Sequence, residues 1–272
     1  MTSRYAVYGD YMDFQYKDFY RIDDLIRIMH ILRAPDGCPW DRVQTHESIR
    51  QNFIEETYEA IEAIDKGDSP LLKEELGDVL MQVIFHSIME EEEGRFDFDD
   101  VCNDVCQKLI IRHPHVFGNI EADTPDEVLK NWDAIKMQTK SQESVADSVD
   151  DVARSLPALM RAQKVQKRSA KSGMDFKDAA DAASKVPEEQ KELFSAIEGG
   201  NQDKIEEELG DLLFSVVNVA RFAGVDAERA LYRSTDKFAK RFRAVEGLAK
   251  ERGIDMKSAP TSLIDSLWEE VK

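Results

Sequence analysis

Eight acidic side chains recur in two sets of four. Glu56, Glu59, Glu75 and Asp78 are matched by Glu189, Glu192, Glu208 and Asp211 at one constant offset, 133 residues both from Glu56 to Glu189 and from Asp78 to Asp211. Each set lies in the same local text: Glu55-Glu56-x-x-Glu59 then Glu75-Leu76-Gly77-Asp78, and Glu188-Glu189-x-x-Glu192 then Glu208-Leu209-Gly210-Asp211. Unrelated helices do not keep four carboxylates in register over that distance, so the chain reads as an internal duplication with one candidate metal site per copy.

Carboxylates three residues apart share one side of a helix. Two such pairs on consecutive antiparallel helices converge, and a fourfold acidic cluster against a bundle core is costly unless a cation neutralises it. Ligation by carboxylate oxygens alone selects hard cations, Mg²⁺ or Mn²⁺. Either motif alone is as readily a solvated acidic face, and the run Glu90–Glu93 is read as one. A di-iron bundle would need Glu-x-x-His pairs. The residues three before each His are Arg27, Val43, Val83, Ile110 and Arg112, so that chemistry has no ligands here. Gly77 and Gly210 sit mid-helix, where Gly costs about 1 kcal/mol relative to Ala. A facing helix or a ligand is expected to approach them closely.

The copies differ in their cations. Lys185 and Lys204 in the second copy stand where the first has Asn52 and Leu71. Lys237, Lys240 and Arg241 follow the second site, as Lys108 and Arg112 follow the first, and Arg161, Lys164, Lys167 and Arg168 precede the second. A metal-bound polyphosphate needs such side chains around it. His113-Pro114-His115 reads as a packed helix end, and His30, His46 and His86 as isolated.

The elements that must position these residues are helical. Apolar residues recur at helical spacing from Phe19 to Leu32, and Pro35 and Gly37 end that helix. A second helix is expected from about Thr45 to Asp65, with Ile49, Phe53, Ala60, Ile61 and Ile64 facing inward, and Gly67 stops it. Ser69 as N-cap with Pro70 at the first position opens a third, closed by Gly94. Asp97 caps a fourth, and Thr124-Pro125-Asp126-Glu127 is a capping box for a fifth. Ser155 and Pro157 open the second half, which continues with carboxylate helices near 184–198 and 202–223, a helix from Asp226 to about Glu251, and a short helix bearing Leu263, Leu267 and Trp268. No stretch alternates as a strand does, so the class is all-α, two helical bundles. The expected divisions are an N-terminal extension at 1–18, a first domain at 19–137, a polar linker at 138–153 and a second domain at 154–272.

Composition narrows the function. The 272 residues carry 36 basic against 55 acidic side chains, a formal charge of −19 that repels phosphate backbones and disfavours nucleic-acid binding. Three cysteines, an odd and low number, fit a reducing compartment. No run approaches the length of a membrane span, and no basic-then-apolar signal opens the chain, so a soluble cytoplasmic protein is expected.

At this point the sequence resembles the MazG family of nucleoside triphosphate pyrophosphohydrolases in its two-domain form. The residues that carry the likeness are Gly37-Cys38-Pro39-Trp40-Asp41, Glu55-Glu56-Thr57-Tyr58-Glu59, Glu75-Leu76-Gly77-Asp78, Gly94-Arg95-Phe96-Asp97-Phe98, Arg112-His113-Pro114-His115-Val116-Phe117, the stretch Ser155 to Lys164, and Glu208-Leu209-Gly210-Asp211. The resemblance implies a Mg²⁺-dependent hydrolysis of NTP or dNTP to NMP and pyrophosphate, a homodimer, and a C-terminal domain that is the active one. By motif it implies Glu189, Glu192, Glu208 and Asp211 as the C-terminal metal ligands, with Glu56, Glu59, Glu75 and Asp78 as N-terminal counterparts. It further implies phosphate and nucleotide contacts from Lys185, Lys204, Lys237, Lys240, Arg241 and Trp268. Glu188 or Glu207 is the expected general base, with the choice open. The competing reading is a nucleotide sensor without turnover. Pro187 departs from the family pattern, and its missing donor is expected to kink or restart the helix just before Glu189.

Overall fold

The computed structural model describes residues 14–120 and 144–272, with residues 124, 125, 127, 128, 131, 132 and 135 between them. The chain divides into two compact units that meet in sequence at residues 135 and 136. The first unit holds α1 (Ile22–Arg33), α2 (Arg50–Lys66), α3 (Ser69–Glu92), α4 (Phe98–Arg112) and the single turn α5 (Pro114–Phe117). The second holds α6 (Val145–Asp150), α7 (Ala158–Ser169), α8 (Ala179–Gly199), α9 (Gln202–Phe222), α10 (Ala227–Glu251) and α11 (Thr261–Glu270). Among the described residues there is no strand. The Thr124 capping box closes as its sequence requires, with Glu127 N–H donating to Thr124 Oγ1 and Thr124 N–H to Glu127 Oε2.

Each unit is built on one tight helical hairpin, α2–α3 in the first and α8–α9 in the second. The same two-residue device turns both. Gly67 and Gly200 each end a helix at φ +66°, a left-handed conformation that glycine adopts without strain. The residue that follows caps the next helix: Asp68 accepts from Leu71 N–H, and Asn201 from the N–H groups of Asp203 and Lys204. The N-cap of α3 is therefore Asp68, one residue before the expected Ser69. On α2 the inner face is also narrower than its periodicity implies. Ala60 and Ala63 are buried while Ile61 and Ile64 lie exposed, because two small side chains let α2 and α3 approach and leave the isoleucines on the outer flank.

The core of the first unit sits beyond the carboxylates, where Ile26 and Met29 of α1 and Ile49 pack on Ile84, Phe85, Ile88 and Met89 of α3. The run Glu90–Glu93, expected to be a solvated face, is instead a row of tethers. Glu90 pairs with His46 and Arg95, Glu91 lies 3.3 Å from His30, and Glu93 faces Arg95. Glu92 takes a two-pronged hydrogen bond from Arg33 at 2.7 and 2.6 Å. The Arg33 side chain is only 6% exposed, and its remaining nitrogen holds the carbonyls of Asp41 and Gln44, fixing the loop that leads into α2. His46 and His86 are not isolated either: their Nδ1 atoms lie 2.7 Å apart, so one must donate and the other accept.

In the second unit Asp226 caps α10, and Val245, Ala249 and Leu267 form a small core between α10 and α11. The segment expected as linker is partly folded: α6 packs on α7, Val152 is buried, and Arg168 donates to the Ser148 carbonyl. Residues 138–143 lie outside those described. Pro157 is the N-cap of α7, so Ser155 does not start it.

Two predictions test these tethers. Arg33→Ala removes a buried guanidinium from its pair with the exposed Glu92 and strands two carbonyls, and is expected to destabilise the first unit by about 2 kcal/mol in urea melts. Burial, and for His86 also the neighbouring His46, holds His30 and His86 below the ordinary imidazole value of 6.5. The unfolded chain then takes up protons first, so stability present above that value is lost as pH falls through it. Thermal melting of the first unit is expected to drop between pH 7 and 5.5, and less so in His86→Phe.

Candidate functional site

The hairpins bring three of the four expected carboxylates together in each unit. One oxygen each from Glu56, Glu75 and Asp78 lies within 4.8 Å of the others, and the same holds for Glu189, Glu208 and Asp211. The first member of each triad comes from α2 or α8, and the other two stand three residues apart on α3 or α9. Glu75 and Glu189 are each only 8% exposed. Glu59 and Glu192 remain exposed and fall outside the triads, one turn further along their helices. Their charge still reaches the seam, since Glu59 helps to raise the pKa of Glu75, and Glu192 that of Glu208.

The electrostatics are those of acids crowded against a partly dry surface. Burial is the main cause pushing the Glu56 carboxyl up, with Asp78, Glu59 and Glu55 adding to it. Glu75 is raised by burial and by four acidic neighbours. Glu208 is raised by burial and by Glu192, but here Lys204 pulls the other way. That difference is built into the sequence. Lys185 Nζ lies 2.6 Å from Glu188 and 3.4 Å from Glu189, and Lys204 Nζ lies 2.7 Å from Glu207. These hydrogen bonds hold both lysines above their ordinary value. The first unit has Asn52 and Leu71 at the two positions, and the nearest counterpart is a neutral amide, Gln51 Nε2, 3.3 Å from Glu55.

Two expectations concerned the backbone. α8 runs unbroken from Ala179 to Gly199 with Pro187 inside it, and Glu189 reaches its triad. Pro187 lacks the backbone donor that a helix interior uses, yet the helix continues through it to Gly199. At Gly77 and Gly210, a Cβ would meet nothing of the chain within 4 Å. Among the described residues no facing helix explains these glycines, which leaves the other alternative, a ligand.

The other expected nucleotide contacts are carried by α10 and α11. Lys237 and Lys240 are exposed on α10, and Arg241 donates to the carbonyl of Lys272. Trp268 on α11 is half-buried, with its ring 5.2 Å from that of Phe238, which in turn stacks near Phe242. Phe238 and Phe242 were not singled out by sequence, although four-residue spacing beside Lys237 and Arg241 places both on the helix that carries the cations. Arg168, one of the basic residues preceding the site, is engaged by Ser148 and Asp151 and serves the fold. The triad and its two lysines can hold a divalent cation and polyphosphate oxygens.

Comparison with known proteins agrees with this chemistry. The MazG nucleotide pyrophosphohydrolase domain matches twice, at residues 44–117 and 177–245. A nucleoside triphosphate pyrophosphohydrolase of Escherichia coli K12 is 45% identical over 255 residues, covering 93% of this chain and 97% of the relative. A nucleoside triphosphate pyrophosphohydrolase/pyrophosphatase MazG of Thermotoga maritima is 43% identical over 250 residues, 92% and 95% of the two chains. YabN of Bacillus subtilis, an uncharacterised protein, is 43% identical over 246 residues, which is 90% of this chain and 50% of that one. The duplicated helical hairpins, each with its acid triad, thus belong to a protein of the MazG family.

Proposed function

We propose that the chain hydrolyses nucleoside triphosphates, NTP or dNTP, to nucleoside monophosphate and pyrophosphate, and that the second unit does this work. The observation that carries the reading is the Glu189, Glu208 and Asp211 triad flanked by Lys185 and Lys204 on the same two helices. The names of the two long-matching relatives support it. The all-oxygen donor set fits Mg²⁺, with Mn²⁺ as a substitute, held by Glu189, Glu208 and Asp211, with Glu192 one turn away. Once bound, the cation would offset phosphate charge and make the α-phosphorus more electrophilic.

The chain's own residues supply the rest. Lys185 and Lys204 now hydrogen-bond Glu188 and Glu207. An arriving polyphosphate competes for those ammonium groups, and each carboxylate it displaces is freed to take the proton of an attacking water. Either Glu188 or Glu207 can fill that role. Lys237, Lys240 and Arg241 would take further phosphate oxygens, and Trp268 the base. The first unit keeps cation ligands in Glu56, Glu75 and Asp78 but has Asn52 and Leu71 in place of Lys185 and Lys204, so this reading gives it no turnover.

A homodimer fits the surface. The exposed apolar residues of the two hairpins keep the duplication's register, Ile61 with Phe194, Ile64 with Ile197, Leu76 with Leu209 and Leu80 with Leu213. Each unit thus presents an unburied apolar face that can meet its own copy in a second chain across a twofold axis, as an isologous contact does. Among the described residues no helix is long and apolar enough to cross a membrane. Cytoplasmic control or cleansing of the nucleotide pool fits these properties, with no role for nucleic acid as partner.

A panel of NTPs and dNTPs with Mg²⁺ is expected to yield NMP and pyrophosphate. Asp211→Ala is expected to lower turnover at least a hundredfold, and the same activity in that variant as in the wild type would refute the assignment. Cation binding has its own signature. A carboxyl raised above 4.5, as Glu208 is, favours the folded state only while protonated, so the metal-free site loses stability as pH rises through its folded value. Millimolar Mg²⁺ at pH 7.5 is therefore expected to raise the melting temperature of the second unit by several degrees. The gain should shrink toward pH 5 and vanish in Glu208→Gln.

A further inference from the structure

α7 has one face that neither α9 nor α10 takes up. Ala158, Arg161, Ala162 and Val165 recur at three, four and seven residues, so they share one side of the helix. Its other sides are committed. Gln163 donates to the Val225 carbonyl at 2.8 Å and accepts from Ala227 N–H at 3.1 Å, which ties α7 to the start of α10. The buried Gln166 donates to the Phe214 carbonyl at 2.8 Å and ties α7 to α9. The remaining face borders an open cavity of about 340 Å³, closed off by Arg154 and Leu156 before the helix and by the Phe214 side chain of α9.

The lining falls into two kinds of chemistry. Arg154 and Arg161 bring two guanidiniums, and no acid is among the lining residues. Among the described residues neither arginine has an ion-pair partner, although Arg168 on the same helix takes Asp151 and Arg221 on α9 takes Asp175. Two guanidiniums left unneutralised on one cavity, in a chain of net charge −19, attract an anion. Each presents its donors as a flat fork that fits phosphate oxygens two at a time. The rest of the wall is Leu156, Val165 and the exposed ring of Phe214, a surface suited to the face of a flat ring. The walls are held in place beforehand. Val152 is buried and Arg168 donates to the Ser148 carbonyl, which fixes the segment that carries Arg154. The volume is at the small end of the range of about 300–1,000 Å³ usual for ligand sites, so it suits a small molecule and not a segment of another chain.

We infer that Arg154, Arg161 and Phe214 form a second nucleotide site, distinct from the carboxylate triads, which takes a nucleoside monophosphate without a metal ion. The phosphate lies between the two guanidiniums, and the base lies against Phe214 and Val165. A triphosphate carrying a divalent cation finds no carboxylate there to hold that cation, so the cavity selects against the ligand for which the triad is built. Phe214 stands three residues after Asp211 on α9, about 4.5 Å further along the helix axis. A monophosphate held there is one turn from the carboxylates. This goes beyond the hydrolytic reading and does not rest on it, although a monophosphate is also what that reaction makes.

Calorimetric titration of the full chain with AMP, GMP, CMP and UMP, in EDTA, tests this. At least one of the four is expected to bind once per chain. Arg154→Gln and Arg161→Gln are each expected to weaken that binding about tenfold or more, as the loss of a charge-assisted contact does. The matching nucleoside, which lacks the phosphate, and inorganic phosphate, which lacks the ring, are both expected to bind more weakly than the monophosphate. A chain with Glu208→Gln and Asp211→Asn is expected to bind it as the wild type does. Absence of metal-free binding by all four overturns the inference, and so does binding that neither arginine variant weakens. Binding that the carboxylate variant weakens as much as the arginine variants do overturns it too, because the monophosphate then sits at the triad. Inorganic phosphate binding as tightly as the monophosphate overturns the assignment to a nucleotide. No turnover is measured, so a chain that hydrolyses no triphosphate leaves this inference standing, and failed binding leaves the hydrolytic reading standing. Should Arg161→Gln fail to fold, Arg161→Lys, which keeps the charge and loses the fork, takes its place and is expected to weaken binding as well.

Discussion

Like charges gathered where water is scarce set the terms for the rest of this molecule. Each hairpin closes on three carboxylates whose oxygens lie within 4.8 Å of one another, one of them almost wholly buried. Nothing in the packing of α2 on α3 or α8 on α9 requires acids at those positions, and alanine or serine would fit the seam at lower cost. Such an arrangement is relieved by a counter-charge or by protonation, and Glu56, Glu75 and Glu208 are all raised. The tight turns at Gly67 and Gly200, the caps at Asp68 and Asn201, and the small residues Ala60 and Ala63 all serve to hold the helices close enough for the acids to converge.

The duplication then diverges in how that charge is met. In the second unit Lys185 and Lys204 reach the outer carboxylates, and Lys204 offsets part of the burial and acidic crowding that raise Glu208. In the first, Asn52 and Leu71 leave the acids to repel one another, and Glu56 and Glu75 are both pushed up. The first unit has invested its ion pairs elsewhere, along Glu90–Glu93, where Arg33, Arg95, His30 and His46 tie α1 and the incoming loop to the far half of α3. One half is braced and the other equipped for anions.

Much of this was legible in the residues. The register of the acids, the helix-breaking glycines, the Asp97 and Asp226 caps and the absence of strands all follow from local chemistry that acts within a few positions. What escaped the sequence depends on partners distant along the chain. The Glu90–Glu93 run looks solvated until α1 and the His46 loop fold back on it. Ile61 and Ile64 have inward periodicity, but two alanines beside them allow a closer approach that turns them out. Pro187 should break a helix on propensity alone, yet α8 continues through it. The exposed middle of α10 is invisible to motif spacing, because exposure on all sides is a property of the folded chain.

The central claim is that a divalent cation binds between Glu189, Glu208 and Asp211 and holds a triphosphate there. The most direct measurement is an anomalous-difference map from crystals grown with Mn²⁺ and a non-hydrolysable nucleoside triphosphate analogue. The account predicts a peak within bonding distance of oxygens from all three residues, with phosphate density beside Lys185 and Lys204. Manganese found only on surface acids, with the three side chains turned away from one another, would contradict it.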